Sequence, residues 1–165
     1  MDRCESQIEI AAECADVMEV FWRPERWPAV AAHVRRIDCL YGDEHAQVLV
    51  FSVRTGSSVD VFKSVRIRHG DRILFYQPVP PAFLRVHSGR WTFEAHGPGT
   101  IVRVLHRVVV DPERARERLQ DLAASDEAIT SRVMETINAN SLQTMRALKT
   151  CLETERESAY VASTR

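Results

Sequence analysis

The residue that pattern places best for moving protons is His106. Val102, Val104, His106, Val108 and Val110 alternate along one face of a strand-like run, which sets an imidazole among valines on the side that turns inward. An imidazole titrates near neutral pH, so it can take or give a proton there. A second polar cluster, Asn138-Ala139-Asn140-Ser141, lies in a helical stretch. Ser141 falls near the centre of that helix's apolar stripe, and the two asparagines fall on its opposite flanks. A buried serine or asparagine needs a partner, which a protein group, a water or a substrate carbonyl can supply. Geometry does not choose between the asparagines; Asn140 is preferred. The third candidate is Arg66, whose guanidinium stays cationic and can stabilise developing negative charge in a water-poor site. Strand alternation taken alone points it outward. Val59, Val61, Val65 and Ile67 share one face, Ser58, Asp60, Phe62, Ser64 and Arg66 share the other, and a plain reading buries the valines.

Other chemistries find little support. The six histidines and four cysteines show no metal-ligand spacing, and no G-x-S-x-G is present. His96-Gly97-Pro98-Gly99 reads as a hairpin turn and not a phosphate loop, because no helix follows it. Arg114, Arg116 and Arg118 could meet an acidic partner, but a solvated helix face is the simpler reading. With 22 Lys and Arg against 23 Asp and Glu, the net charge of −1 excludes the basic footprint of a general nucleic-acid binder. The longest apolar run, Val48–Phe51, cannot span a bilayer. No apolar stretch of the signal-peptide kind follows the first residues, and Cys4, Cys14, Cys39 and Cys151 are scattered. Reduced thiols and a cytoplasmic location are therefore expected.

Periodicity supplies the elements that must hold these residues. Gln7–Ala11 alternates and predicts a first strand. Ala15–Phe21 has helical spacing and must stop near Pro24, and Glu25–Ala32 reads as a second short helix carrying Trp27. Six strand-like runs follow: Val34–Tyr41, His45–Val53, Val59–Arg68, Ile73–Gln77, Leu84–Ala95 and Thr100–Val110. The Gly-containing and Pro-rich turns between them indicate an antiparallel meander. Glu113–Ala124 predicts a short exposed helix. Ser125-Asp126-Glu127 offers an N-cap with acids in the first turn, and no Gly or Pro interrupts the chain from there to about Glu155. Ile129, Val133, Ile137, Met145, Leu148 and Leu152 fall on one stripe of this long helix. The expected class is α+β: a seven-stranded curved antiparallel sheet around a long C-terminal helix, with a cavity between them open at one end. A single domain covers residues 1–165, its core about 6–153, with a flexible tail expected over 156–165.

Several of these residues, in this order, carry a resemblance. They are Trp27-Pro28 after the first helix, Phe62-Lys63-Ser64-Val65-Arg66, Trp91-Thr92-Phe93-Glu94 before a Gly-Pro-Gly-Thr turn, His106, and Asn138 to Ser141. Together they resemble the polyketide aromatase/cyclases of the Bet v 1-like, START-type helix-grip superfamily over about residues 6–153. The sequence departs from that pattern at Phe62, often Trp in the family. Gln77 or Pro78 stands where some members carry a basic residue, and His33 or Val34 where some carry Tyr.

The resemblance implies an enzyme without metal or redox cofactor that closes a poly-β-ketone by aldol reaction and dehydrates it to an aromatic ring. The substrate it implies is bound to an acyl carrier protein and made by a minimal polyketide synthase; neither nucleic acid nor membrane is a partner. It implies that Arg66, two residues after Ser64, turns inward to stabilise enolate and alkoxide, with His106, Asn140 and Ser64 completing the catalytic set. Trp27, Phe62, Trp91, Phe93, Asn138, Ser141, His33 and Phe83 are the implied substrate contacts, Phe83 and Leu84 lying near the mouth and Tyr76 being a further wall candidate. Turning Arg66 inward leaves the valines of its strand to be covered by a second subunit or relieved by a bulge, so the chain is a monomer or a homodimer. The alternative on the same fold is a non-catalytic carrier of hydrophobic small molecules, which a closed or purely apolar cavity would favour.

Overall fold

The computed structural model describes the backbone of residues 1–163 and the side chains of residues 1–155. β1 (Asp2–Ile10) leads to α1 (Cys14–Trp22), a single 3-10 turn (Pro24–Arg26) and α2 (Trp27–Val30). Then come β2 (Val34–Gly42), β3 (Ala46–Thr55), β4 (Ser58–His69), β5 (Arg72–Val79), β6 (Leu84–His96) and β7 (Gly99–Val110). The chain ends with α3 (Pro112–Leu119) and α4 (Asp126–Ser163). All seven strands form one antiparallel sheet in the order β1-β7-β6-β5-β4-β3-β2. The expected class and element order hold. The tail expected at 156–165 lies outside the residues whose side chains are described.

Three of the boundaries that differ from the sequence expectation do so for a plain physical reason. β1 starts at Asp2 and not Gln7, because Asp2 to Ser6 pair residue by residue with Val108 to Val104 of β7. A ladder offered by a buried neighbour recruits polar residues that carry no strand pattern of their own. The helix expected over Glu25–Ala32 is split into the 3-10 turn and one turn of α2, with Pro28 in that turn. α3 ends at Leu119, five residues short of Ala124, because Gln120 takes the left-handed conformation at φ 54° and closes the helix. At the start of α4 the Ser125 hydroxyl accepts from the Ala128 amide at 3.2 Å, the cap its sequence promised.

The apolar stripe of α4 is split in two. Ile129, Val133 and Ile137 join Phe83, Leu84, Val108, Val110 and Ala115 in one buried cluster. Met145, Leu148 and Leu152 join Phe21, Trp22, Trp91, Phe93 and others in a second. Between them the helix carries Ser141 and Thr144, both buried and polar. The cavity lies at this polar waist.

β4 decides the conflict in the strand pattern. Ser64 and Arg66 are each only 3% exposed, while Val59, Val61 and Ile67 are 51%, 58% and 47% exposed on the outer face. The polar face therefore turns toward the helix. A bulge lies beside it: Lys63 pairs with Val79 and Val65 with Tyr76, so β5 holds one extra residue around Gln77-Pro78, where proline has no amide to give to the ladder. Tyr76, paired with Val65, stands on the outer face, 52% exposed, and Phe75 and Gln77 on the inner one. Among the described residues all four cysteines are free thiols, and no helix is long and apolar enough to cross a membrane.

Candidate active site

A cavity of about 160 Å³ lies between the sheet and α4. One wall is cationic. Arg66 comes in from β4 and meets the C-terminal end of α1, where a helix leaves its last carbonyls without partners and carries partial negative charge. One Nη of Arg66 donates to the Phe21 carbonyl, and Nη1 donates to Gln47 Oε1 at 3.2 Å. Gln47 in turn donates to the Trp22 carbonyl at 3.0 Å. The guanidinium also lies 5.2 Å from the Trp22 ring and 5.6 Å from the Trp27 ring, a cation–π pocket. Trp27 is itself held by its indole N–H on the Val20 carbonyl at 3.2 Å. No carboxylate pairs with Arg66 among the described residues. Burial pushes its pKa down to about 9, with Glu25 pulling the other way, so it remains a cation at neutral pH. A guanidinium has five N–H groups; two are used, leaving donors for an anion in the cavity.

The opposite wall is neutral. Gln77 Oε1 lies 2.9 Å from His87 Nδ1, His87 Nε2 lies 2.9 Å from His106 Nδ1, and His106 Nε2 lies 2.8 Å from Ser141 Oγ. These four residues from β5, β6, β7 and α4 make one continuous hydrogen-bonded chain. Desolvation lowers His87 to about 4; desolvation and then the neighbouring His87 lower His106 to about 3. Both rings are therefore neutral at pH 7. The Phe75 ring packs on both, 5.6 and 5.5 Å away. It fits because position 89 is glycine: a Cβ there would stand 2.5 Å from Phe75 Cζ and 2.1 Å from the Leu105 carbonyl oxygen.

A third imidazole, His33, contributes from the α2–β2 connection. Its Nε2 lies 2.8 Å from the Thr144 hydroxyl, which donates to the Asn140 carbonyl at 3.1 Å. Thr144 has one proton and spends it on that carbonyl, so His33 Nε2 is the N–H donor and Nδ1 is bare. That nitrogen is buried without a partner among the described residues. Burial lowers the His33 pKa.

Beside the lining residues Thr55, Asp60 and Phe83, Arg118 of α3 donates from Nε and Nη2 to the two oxygens of Asp60, at 3.3 and 3.1 Å, and to the Thr55 carbonyl at 3.1 Å. The same guanidinium lies 6.0 Å from the Phe83 ring. Asn140 Nδ2 donates to Thr55 Oγ1 at 3.3 Å.

Ten of the twelve residues singled out from sequence line the cavity: Arg66, His106, Asn140, Ser64, Trp27, Phe62, Trp91, Ser141, His33 and Phe83. Two are not brought there. Phe93 points into the second apolar cluster, 5.3 Å from the Phe21 ring. Asn138 faces β1, where its Oδ1 accepts from Ser6 at 2.6 Å. Tyr76 stands on the outer face, as described above, and Phe75 occupies the wall.

The family model described as polyketide cyclase / dehydrase and lipid transport matches residues 10–125. The chain belongs to this family. A curated relative is the actinorhodin polyketide synthase bifunctional cyclase/dehydratase of Streptomyces coelicolor, 36% identical over 96 residues. That match covers 58% of this chain and 29% of the relative, so it spans less than a third of the relative's length. Among solved structures, the di-domain ARO/CYC StfQ from the steffimycin biosynthetic pathway superposes with a TM-score of 0.84 at 21% identity, over 94% of this chain and 52% of that one. The Zhui aromatase/cyclase from Streptomyces sp. R1128 superposes with a TM-score of 0.74 at 18% identity, over 95% of both chains. At these identities the likeness shows the fold, the START/Bet v 1-like helix-grip architecture.

In this member of the polyketide cyclase/dehydrase and lipid transport family, three site residues escaped the sequence reading, Gln47, His87 and Thr144, and Gln77 entered it only as a departure from the family pattern. Signals for them existed. Gln47 shares strand parity with Leu49 and Phe51, and His87 shares it with Trp91 and Phe93, all buried or lining the cavity. Thr144 lies one turn from Ser141. Gln77 shares strand parity with Ile73 and Phe75, both on the inner face. Among the described residues no group of three or more His, Cys, Asp and Glu is arranged to hold a metal ion.

Proposed function

We propose that this chain is a polyketide aromatase/cyclase that folds a poly-β-ketone, delivered on an acyl carrier protein, and closes its first ring inside the cavity. The observation that carries this reading is the buried guanidinium of Arg66, which faces the cavity with donors to spare and no carboxylate partner. In an aldol closure an α-carbon loses a proton, the resulting enolate attacks a distant ketone, and the new alkoxide takes up a proton. A second α-proton and the hydroxyl then leave as water. Negative charge forms twice on oxygen, and a fixed cation in a dry site stabilises it without reorganising. His106 and Ser141 handle the protons, and Asn140 and Ser64 offer hydrogen bonds to substrate oxygens. Trp27, Phe62 and Trp91 confine the chain, which supplies part of the acceleration through orientation.

A purely apolar cavity would favour a carrier of hydrophobic molecules; the presence of one cationic and one imidazole wall favours catalysis. The test is co-incubation with a minimal polyketide synthase and analysis of the ring pattern formed. Wild-type protein shifts the product to one regiospecific aromatic compound, and folded Arg66→Ala does not. An Arg66→Ala protein that gives the same product at the same rate removes the mechanism. A wild-type protein that binds polyketide without altering the product makes it a carrier.

A further inference from the structure

The chain from Gln77 to Ser141 has a direction. Each imidazole in it is neutral and therefore has one N–H and one bare nitrogen. Two settings satisfy all three contacts. In the first, Gln77 Oε1 accepts from His87 Nδ1–H, His87 Nε2 accepts from His106 Nδ1–H, and His106 Nε2 accepts from the Ser141 hydroxyl. In the second every bond reverses, which requires the Gln77 amide to present its NH2 to His87. Any mixed setting sets two lone pairs or two protons face to face at a contact of 2.8–2.9 Å. The amide oxygen of Gln77 faces His87, and its NH2 makes no protein hydrogen bond among the described residues. Gln77 and Ser141 both line the cavity, so the two ends of the chain meet the same space.

We infer that Gln77 is a positioning residue that sets the direction of this chain, fixing both imidazoles as Nδ1–H tautomers and leaving His106 Nε2 as the base that draws the proton of Ser141. The inference rests on the cyclase reading for the identity of the substrate only. In this direction Gln77 shows the cavity a donor, suited to a ketone oxygen, while Ser141 shows it an acceptor. As an α-proton passes to Ser141 Oγ, the serine's own proton moves to His106 Nε2. The His106 Nδ1 proton can then move to His87 Nε2, placing the positive charge on His87. Arg66 holds the enolate that balances it. A substrate hydroxyl at Gln77, as an aldol product has, donates as well as accepts and so also fits the opposite amide rotamer. The reversed chain frees the Ser141 proton for donation. The same four residues thus serve as base before ring closure and as acid after it.

The test reads tautomers directly, by long-range ¹H–¹⁵N correlation on protein labelled at histidine. Wild-type protein should show protonated Nδ1 and bare Nε2 for both His87 and His106. Gln77→Met, which removes the acceptor, should give mixed tautomers and about a ten-fold lower kcat with little change in KM. Gln77→Glu keeps an oxygen at the same place and should restore the tautomers, while kcat stays low because a carboxylate has no N–H to offer the ketone oxygen or to reverse the chain. Nε2–H tautomers in the wild type, or a Gln77→Met protein with unchanged tautomers, overturn the inference. The spectrum of the wild-type chain needs no turnover, so it decides the matter even where a variant fails to fold. Expected tautomers in a protein that makes no cyclised product leave the relay standing and remove the cyclase reading instead.

Discussion

The two polar walls of the cavity meet equal burial with opposite outcomes. Arg66 on one side and the His87–His106 pair on the other are all nearly inaccessible to solvent, and desolvation lowers the pKa of each. The guanidinium starts far above neutrality and falls to about 9, so it keeps its charge. The imidazoles start at 6.5 and fall to about 4 and 3, so they lose theirs. The surroundings match these states. Two carbonyl acceptors, of Phe21 and the Gln47 amide, and two indole faces surround the cation, whereas a closed hydrogen-bond chain suits neutral rings. One hollow thereby holds a fixed positive charge on one wall and a neutral hydrogen-bonded chain on another.

The largest effect is expected from removing the cation. Arg66→Ala should lower the rate of cyclised product formation by roughly 10²–10³-fold, the range for loss of an oxyanion donor, with the circular dichroism spectrum retained. A drop below ten-fold would mean that the charge is structural. The second effect tests the neutral wall through pH. In the unfolded chain the two imidazoles bind protons below about pH 6.5, while in the folded chain they do so only near 4 and 3. Between those limits the unfolded state holds more protons, so stability falls as pH falls, and it is fully present above about 6.5. Each histidine contributes up to about 1.4 kcal/mol per pH unit. Denaturant titrations at pH 6 and pH 5 should differ by about 2–3 kcal/mol from the pair, and a flat profile there would show the rings to be charged or exposed.

Ser141→Ala should cost about 1–2 kcal/mol in urea unfolding, because it leaves His106 Nε2 buried without a donor. Equal stability would mean that a water takes the place of the hydroxyl. The smallest effect sharpens the contrast with the third imidazole. His33 Nδ1 already lacks a partner, and Thr144 keeps its bond to the Asn140 carbonyl without His33. His33→Phe should therefore leave Tm unchanged or raise stability by up to about 1 kcal/mol. A loss above that amount would show that the bond from Nε2 outweighs the orphaned nitrogen.

The element order, the long helix and the inward face of His106 were legible because period and turn chemistry are local properties. Arg66 was not legible that way. Binary patterning assumes that the apolar face of a strand is the inner one, and it inverts where the inner face borders a polar cavity. Only the resemblance turned Arg66 inward, and the valines on the reverse of β4 lie in the open as that orientation requires. Asn138 and Asn140 were equivalent on a helical wheel. What separates them is that β1 packs along one flank of α4 and the cavity lies along the other, a difference that exists only once the chain is folded. Phe93 shares parity with Trp91, yet α1 covers it with Phe21, so depth along a strand decides what parity leaves equal.

The divided stripe of α4 has a consequence for how this molecule can change. Hydrophobic anchors grip the helix on either side of its polar midsection, like a beam clamped at two points. Positions 140, 141 and 144 lie between these two anchors and face the cavity. Exchanging side chains there can retune reactivity while the grip on either side stays intact, which makes that short stretch the natural place for new specificities to arise without loss of folding.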